Sequence, residues 1–233
     1  MAHALTLDFL NDFIALFFPP CCVACSQALV KGESVICTSC MLEMPQTDYH
    51  EDRENALFTN LSGRLPVEHA VALFRFSRGG RVQKLLHALK YKDRPGTGVF
   101  VGRYYAQKLL PTGFFDSIDC IVPVPLHPAG FRKRGYNQSA MFAQGLSEVT
   151  GIAFSDSLQR VVPTSSQTRR SRTSRWENVK EVFTISDPSM FHKKHVLLVD
   201  DVITTGATIE ACASNLLAAE CASIRVACIA HVV

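Results

Sequence analysis

The sequence predicts an α/β fold in which a mainly parallel sheet is flanked by helices and preceded by a small cysteine-rich unit. Three observations carry that expectation. Strand-like runs alternate with stretches of helical periodicity from residue 67 onward. The runs 195–199 and 224–229 are apolar with no polar alternation, as strands covered on both faces would be. Two Cys-x-x-Cys pairs fall within the first 40 residues. A chain of 233 residues has room for one such domain and an appendage, which favours a single active site. With 47% apolar and 19% charged residues it reads as a soluble globular protein, and neither a disordered nor a collagen-like chain fits.

Taken in order, residues 5–18 place Phe9, Phe13 and Phe17 with Leu10 and Ile14 at helical spacing, an amphipathic helix packed on the protein body or, as the alternative, on a membrane surface or a partner. Asp8, Asn11 and Asp12 interrupt this stretch and no Lys or Arg precedes it, so it does not read as an export signal. Residues 1–48 form the expected N-terminal unit, 49–66 an acidic linker and 67–233 the main domain. Within that domain, 70–76 reads as a strand and 82–90 as a helix with Leu85, Leu86 and Leu89 on one face. Residues 99–110 read as a helix, 120–124 as a strand, 137–149 as a helix and 182–185 as a weaker strand. The strand 195–199, the small-residue helix 208–219 and the strand 224–229 close the chain. No run reaches the ~18 apolar residues that a membrane span needs.

Charge is segregated. Residues 1–74 hold three basic and nine acidic side chains, 75–94 seven basic and one acidic, and 160–180 six basic and one acidic. Basic groups confined to two internal segments point to local binding of a polyanion rather than a coating of bulk nucleic acid.

Cys22-Val-Ala-Cys25 and Cys37-Thr-Ser-Cys40 are separated by eleven residues. Each pair can turn two sulfurs toward one point, and four thiolates so gathered suit a tetrahedral Zn²⁺. Such a closed site has no open position, so its role is structural. Cys21 adjoins Cys22 and is the alternative fourth ligand. With nine cysteines dispersed this way the chain reads as one from a reducing compartment, the cytoplasm.

The densest chemistry lies in His195-Val-Leu-Leu-Val-Asp200-Asp201-Val-Ile-Thr204-Thr205-Gly206-Ala207-Thr208. An apolar strand delivers two carboxylates at its C-terminal edge, where open α/β sheets bind ligands. A hydroxyl- and glycine-rich turn then opens a helix whose free N–H groups can hold a phosphate. Adjacent acids cannot neutralise a phosphate, but they can accept hydrogen bonds from sugar hydroxyls or act around Mg²⁺. The combination describes a sugar phosphate. A receiver-type acid pocket would carry further strands after the acids, and only one follows here.

This stretch resembles the signature by which type I phosphoribosyltransferases bind PRPP, 5-phosphoribosyl 1-pyrophosphate. The order of the two Cys-x-x-Cys pairs, Leu89-Lys90-Tyr91, Val122-Pro-Val-Pro-Leu-His127, Arg134-Gly-Tyr-Asn-Gln138, then Arg160, Gln167, Arg175 and Asn178, is similar to the ComF/GntX family. That resemblance implies a type I phosphoribosyltransferase-like sheet with a zinc-ribbon-like module. It also implies that Asp200 and Asp201 contact ribose hydroxyls, that Thr204, Thr205, Gly206, Ala207 and Thr208 wrap the 5′-phosphate, and that the loop holding Pro125, with Arg134, faces pyrophosphate. Lys90 is read as either a second anion contact or a solvated helix end, and Arg175 as part of either a basic lid over 160–180 whose arginines stabilise the departing pyrophosphate or a solvated surface loop. Mg²⁺ would accompany PRPP. The implied activity is pentosyl transfer, a glycosyltransferase reaction in nucleotide metabolism, to an acceptor that no motif identifies. Two rivals stand beside it: a non-catalytic sensor of PRPP or a nucleotide, and a competence factor handling single-stranded DNA or meeting other competence proteins in DNA uptake. The DNA reading calls for aromatics among the arginines, and in sequence only Trp176 and Phe183 are near. Oligomeric state is not legible.

Overall fold

The computed structural model describes residues 17–91, 94–160 and 183–233. Most of the expected N-terminal helix, including Phe9 and Phe13, lies outside them, as do Gln167, Arg169, Arg170, Arg172, Arg175, Trp176 and Asn178 of the expected lid.

Among the described residues, the short helices α1 (Thr38–Glu43) and α2 (Ala56–Ser62) precede strand β1 (Val67–Arg75). Helices α3 (Arg81–Tyr91) and α4 (Gly96–Leu109) lead to β2 (Cys120–Pro123). Helices α5 (Pro128–Arg134) and α6 (Gln138–Thr150) precede β3 (Leu158–Arg160), which pairs antiparallel with β4 (Phe183–Ile185). Strand β5 (His195–Ile203), α7 (Ala207–Ala218) and β6 (Ser223–His231) complete the fold.

Strands β1, β6, β5 and β2, in that order, form one sheet, and each neighbouring pair is parallel. The central strands β5 and β6 carry Val196–Val199 and Val226–Ala230 with essentially no exposed surface, which is why neither run alternates in polarity. Strand β5 outruns the expected 195–199: Asp200, Val202 and Ile203 still pair with Cys228, Ala230 and His231. The backbone ladder continues although the side chains turn polar.

Helices α4 and α6 cross at backbone contact. A Cβ added at Gly102 would strike the Phe142 carbonyl, and one at Gly145 would strike that of Val99, so only glycine permits the approach. The joining chain after the cysteine unit lies against β1. The Gln46–Phe74 bridge, Arg75 N–H to the Pro45 carbonyl (2.8 Å) and Thr47 N–H to that of Leu73 (3.1 Å) fasten it there. At the other edge, Ile121 of β2 bridges to Phe154, with Ile121 N–H donating to Ala153 O (3.0 Å) and Ser155 N–H to Ile121 O (2.9 Å).

The stretch 49–66 is more than a tether. Tyr49, Leu57, Leu61 and Leu65 are buried in the main core. Asn55 caps α2 by accepting from Leu57 and Phe58 N–H (3.0 Å each), while its amide donates to the carbonyls of Tyr49, Asp52 and Ala70. A buried side chain with every polar atom used pins α2 onto β1. Among the described residues no helix is long and apolar enough to cross a membrane.

Candidate functional site

At the C-terminal end of β5, Asp200 and Asp201 point to different partners. The Asp200 carboxylate accepts from Ser139 Oγ and from Asp201 N–H, both at 2.8 Å. Asp201 pairs with Lys90, whose Nζ lies 2.7 Å from Oδ2. Burial, and then the neighbouring Asp201 charge, push the Asp200 carboxyl up to about 7, with Ser139 opposing the shift. Lys90 is the penultimate residue of α3, so the helix end that the sequence marks as basic reaches the acids directly. Ser139 is buried in the first turn of α6, which Asn137 caps through Ser139 N–H (3.1 Å).

Beyond the acids the chain turns at Thr204–Gly206 into α7, and residues 202–209 with Asp200 line a small pocket of about 40 Å³. Gly206 is the helix N-cap with φ of 79°, and a Cβ there would stand 2.6 Å from Leu61 Cδ2. Left-handed backbone and close packing both require glycine at this point. The outer side of the turn rests on α2 and the residues after it. Arg64 Nη2 donates to Thr205 O (2.5 Å), and Asn60 Nδ2 to Thr204 O (3.5 Å).

The loop after β2 is held from two sides. Val124 N–H donates to Val199 O (2.8 Å), and Asn137 Nδ2 to Val124 O (2.9 Å). Pro125 lines a cavity of about 530 Å³ together with Phe131, Tyr136, Met141, Leu158 and Arg160. His127 caps α5, its Nδ1 accepting from Ala129 N–H at 3.1 Å. That bond occupies Nδ1 with a structural task. Helix α5 itself has no counterpart among the expected elements; it starts at Pro128, whose fixed φ suits a first helical position. Its last turn carries Arg132, Lys133 and Arg134. Arg134 donates to Gln138 Oε1 (2.8 Å), and both Lys133 and Arg134 lie 5.4 Å from the Tyr91 ring centre. The structure therefore gathers Asp200, Asp201, Lys90 and Thr204–Thr208 at one strand end, with Pro125 on the neighbouring loop, and seats Arg134 beside Tyr91. Arg175 lies outside the described residues.

Ser139, Asn60 and Arg64 escaped the sequence reading. Each stands 61 residues or more from its partner in the site, and none belongs to a motif.

At the N-terminal unit the Sγ atoms of Cys22, Cys25, Cys37 and Cys40 all lie within 4.8 Å of one another, with Cys25 and Cys37 at 3.7 Å. Four sulfurs at ~2.3 Å from one Zn²⁺ would stand about 3.8 Å apart, so the cluster is compatible with a zinc site. Burial raises the Cys22 thiol, but N–H donors from Cys37, Cys25 and Ala24 outweigh it and bring it down to about 7. Burial and the surrounding thiols raise Cys40 instead. Thiolates so crowded need a cation to ionise together. Cys21 turns away, its Sγ donating to Pro19 O at 3.3 Å.

The profile of the phosphoribosyl transferase domain matches residues 137–232, from the start of α6 through β6. DNA utilization protein YhgH of Salmonella typhi is 33% identical over 149 residues, 62% of this chain and 65% of that protein. Its counterpart in Escherichia coli strain K12 is 28% identical over 212 residues, 89% of this chain and 88% of that one. Competence protein F of Haemophilus influenzae is 38% identical over 93 residues, 39% and 41% of the two chains. The chain thus spans just under two thirds of the length of the Salmonella relative. Among solved structures, a glutamine PRPP amidotransferase from B. subtilis superposes with a TM-score of 0.45 at 20% identity, over 61% of this chain and 30% of that one. Parallel sheet, a match to the phosphoribosyl transferase domain, the cysteine cluster and similarity to proteins named DNA utilization protein YhgH and competence protein F are together consistent with the ComF family that the sequence resembles.

Proposed function

We propose that the chain binds PRPP with Mg²⁺ at the end of β5 and transfers its phosphoribosyl group. The bond from ribose C1 to pyrophosphate would break and one to an acceptor nucleophile would form. The observation that carries this reading is the succession, on one strand end, of two carboxylates and a glycine turn capping a helix. Thr204, Thr205, Gly206, Ala207 and Thr208 take the 5′-phosphate, where amides at a helix N-terminus favour a dianion. Asp200 and Asp201 accept from the ribose hydroxyls, and the Lys90 ammonium, 2.7 Å from Asp201 Oδ2, stands beside them for the ligand's anionic groups. The loop with Pro125, and Arg134, face the pyrophosphate; Arg175 is the candidate from the basic segment 160–180 for stabilising it as it leaves. Zinc held by Cys22, Cys25, Cys37 and Cys40 gives the N-terminal unit its rigidity. A cytoplasmic role in DNA uptake belongs to the same reading.

The test is incubation of the full chain with PRPP and Mg²⁺ against a panel of bases, nucleotides and DNA, following pyrophosphate release. Release with one acceptor class, lost in the variant Asp200→Asn/Asp201→Asn, supports transfer. Tight PRPP binding with no release across the panel makes the protein a sensor, and absence of PRPP binding overturns the reading.

One observation favours a second reading, in which the protein handles single-stranded DNA. Tyr91 and Phe131 are each 51% exposed beside Lys133 and Arg134. Aromatic faces interleaved with cations are what stacking of unpaired bases needs.

A further inference from the structure

The geometry points to Arg64 as a positioning residue for the phosphate turn. The inference rests on the reading of that turn as a 5′-phosphate site. Arg64 lies outside the turn, between α2 and β1, and its guanidinium makes four contacts. Nη2 donates to Thr205 O (2.5 Å), Asn60 Oδ1 (2.8 Å) and Asn60 O (3.2 Å), and Nη1 to Glu210 Oε2 (3.0 Å).

Two consequences follow. The first is orientation. In a trans peptide the C=O and the next residue's N–H point in opposite directions, and no peptide bond described here is cis. Holding Thr205 O toward Arg64 therefore turns Gly206 N–H to the opposite side, and Asn60 on Thr204 O does the same for Thr205 N–H. The amides a phosphate would use are aimed before any ligand arrives, which lowers the cost of ordering the turn on binding.

The second consequence is charge. Glu210 sits in the first turn of α7, the helix whose N-terminus would receive the dianion. A carboxylate there complements the helix dipole but repels a phosphate. Arg64 cancels it in a pair whose side chains are only 31% and 24% exposed, partly shielded from solvent and salt. An arginine serves both tasks because one planar fork can hold carbonyls on one nitrogen and a carboxylate on the other.

The experiment is calorimetric titration of the full chain with PRPP and Mg²⁺, for the wild type, Arg64→Gln, Glu210→Gln and the double variant, with the melting temperature of each. Arg64→Gln is expected to weaken PRPP about tenfold or more, the size of one lost charge-assisted hydrogen bond. Glu210→Gln alone should tighten binding, since it leaves the Arg64 charge uncompensated beside the phosphate. In the double variant about half of the logarithmic loss should return. Equal weakening in Arg64→Gln and the double variant, tracking the melting temperature, would mean that Arg64 only ties the chain, and overturns the proposal. So does PRPP affinity in Arg64→Gln within twofold of wild type. If Arg64→Gln does not fold, Glu210→Gln decides: unchanged or weaker binding rejects the inference. A wild-type chain that fails to bind PRPP removes the site reading and this inference together, whereas wild-type binding with an indifferent Arg64 removes only the latter.

Discussion

Asp200 holds a proton more tightly than an ordinary carboxyl, because burial and the Asp201 charge raise it from 3.8 to about 7. The folded value lies above the unfolded one, so ionising Asp200 costs the fold. That cost is absent below about pH 4, where both states are protonated, grows as pH rises and is complete above about 7. Asp200→Asn is accordingly expected to raise the melting temperature relative to wild type at pH 8 and to change it little at pH 4, as a thermal scan at the two values reads. Ligand affinity runs the other way. A protonated carboxyl gives up an acceptor oxygen, so PRPP should bind wild type more weakly at pH 6 than at pH 8, and Asp200→Asn should flatten that difference. The cost of losing one charged hydrogen bond is about 1.5–3 kcal/mol, enough to be read by titration.

Among the elements, the crossing of α4 and α6 and the cysteine unit make the sharpest predictions. Gly145→Ala places a methyl against the Val99 carbonyl, which neither helix can yield without losing contact along its length. It should destabilise by about 1–3 kcal/mol in denaturant titration while the zinc content stays unchanged. Elemental analysis of freshly reduced protein should give one zinc per chain. Cys22→Ser should abolish it and Cys21→Ser should leave it intact, because Cys21 faces Pro19. The elements readable in sequence were those whose pattern is local: the apolar run of β5, the periodicity of α3 and the cysteine spacing. Helix α2 was read as linker because what holds it is distant. Asn55 reaches Ala70, and Leu57 and Leu61 find cover only once β1 is in place. Helix α5 was missed for a related reason: its seven residues contain none that is buried, so no apolar face marks it.

At the scale of the whole molecule, the uneven charge of the sequence acquires a surface. The basic segment 75–94 and the last turn of α5 meet at Tyr91, with Phe131 nearby on α5. If single-stranded DNA occupies that surface, affinity should fall linearly with the logarithm of salt concentration. Lys133→Ala/Arg134→Ala should lower the slope by about 1–1.5, and Phe131→Ala should weaken binding without changing it. Fluorescence anisotropy with a labelled oligonucleotide measures both. Neither the cluster nor the Ser139–Asp200 bond was legible beforehand, because each joins segments that only the parallel crossovers bring together. The signature at 195–208 pointed to a ligand class, while the side chains that contact its acids and turn from outside lie elsewhere in the chain.

Both outer strands of the sheet are already engaged: β1 by residues 45–47 and β2 by 153–155. A parallel sheet with bare flanks invites a second copy to add its own strand there and grow into a filament. With the Leu73, Arg75 and Ile121 backbone groups taken by the chain itself, such growth has little to grip. At these points of the four-stranded sheet, self-association by strand addition is opposed, and helical or loop faces offer contacts that do not compete with bonds the chain already makes.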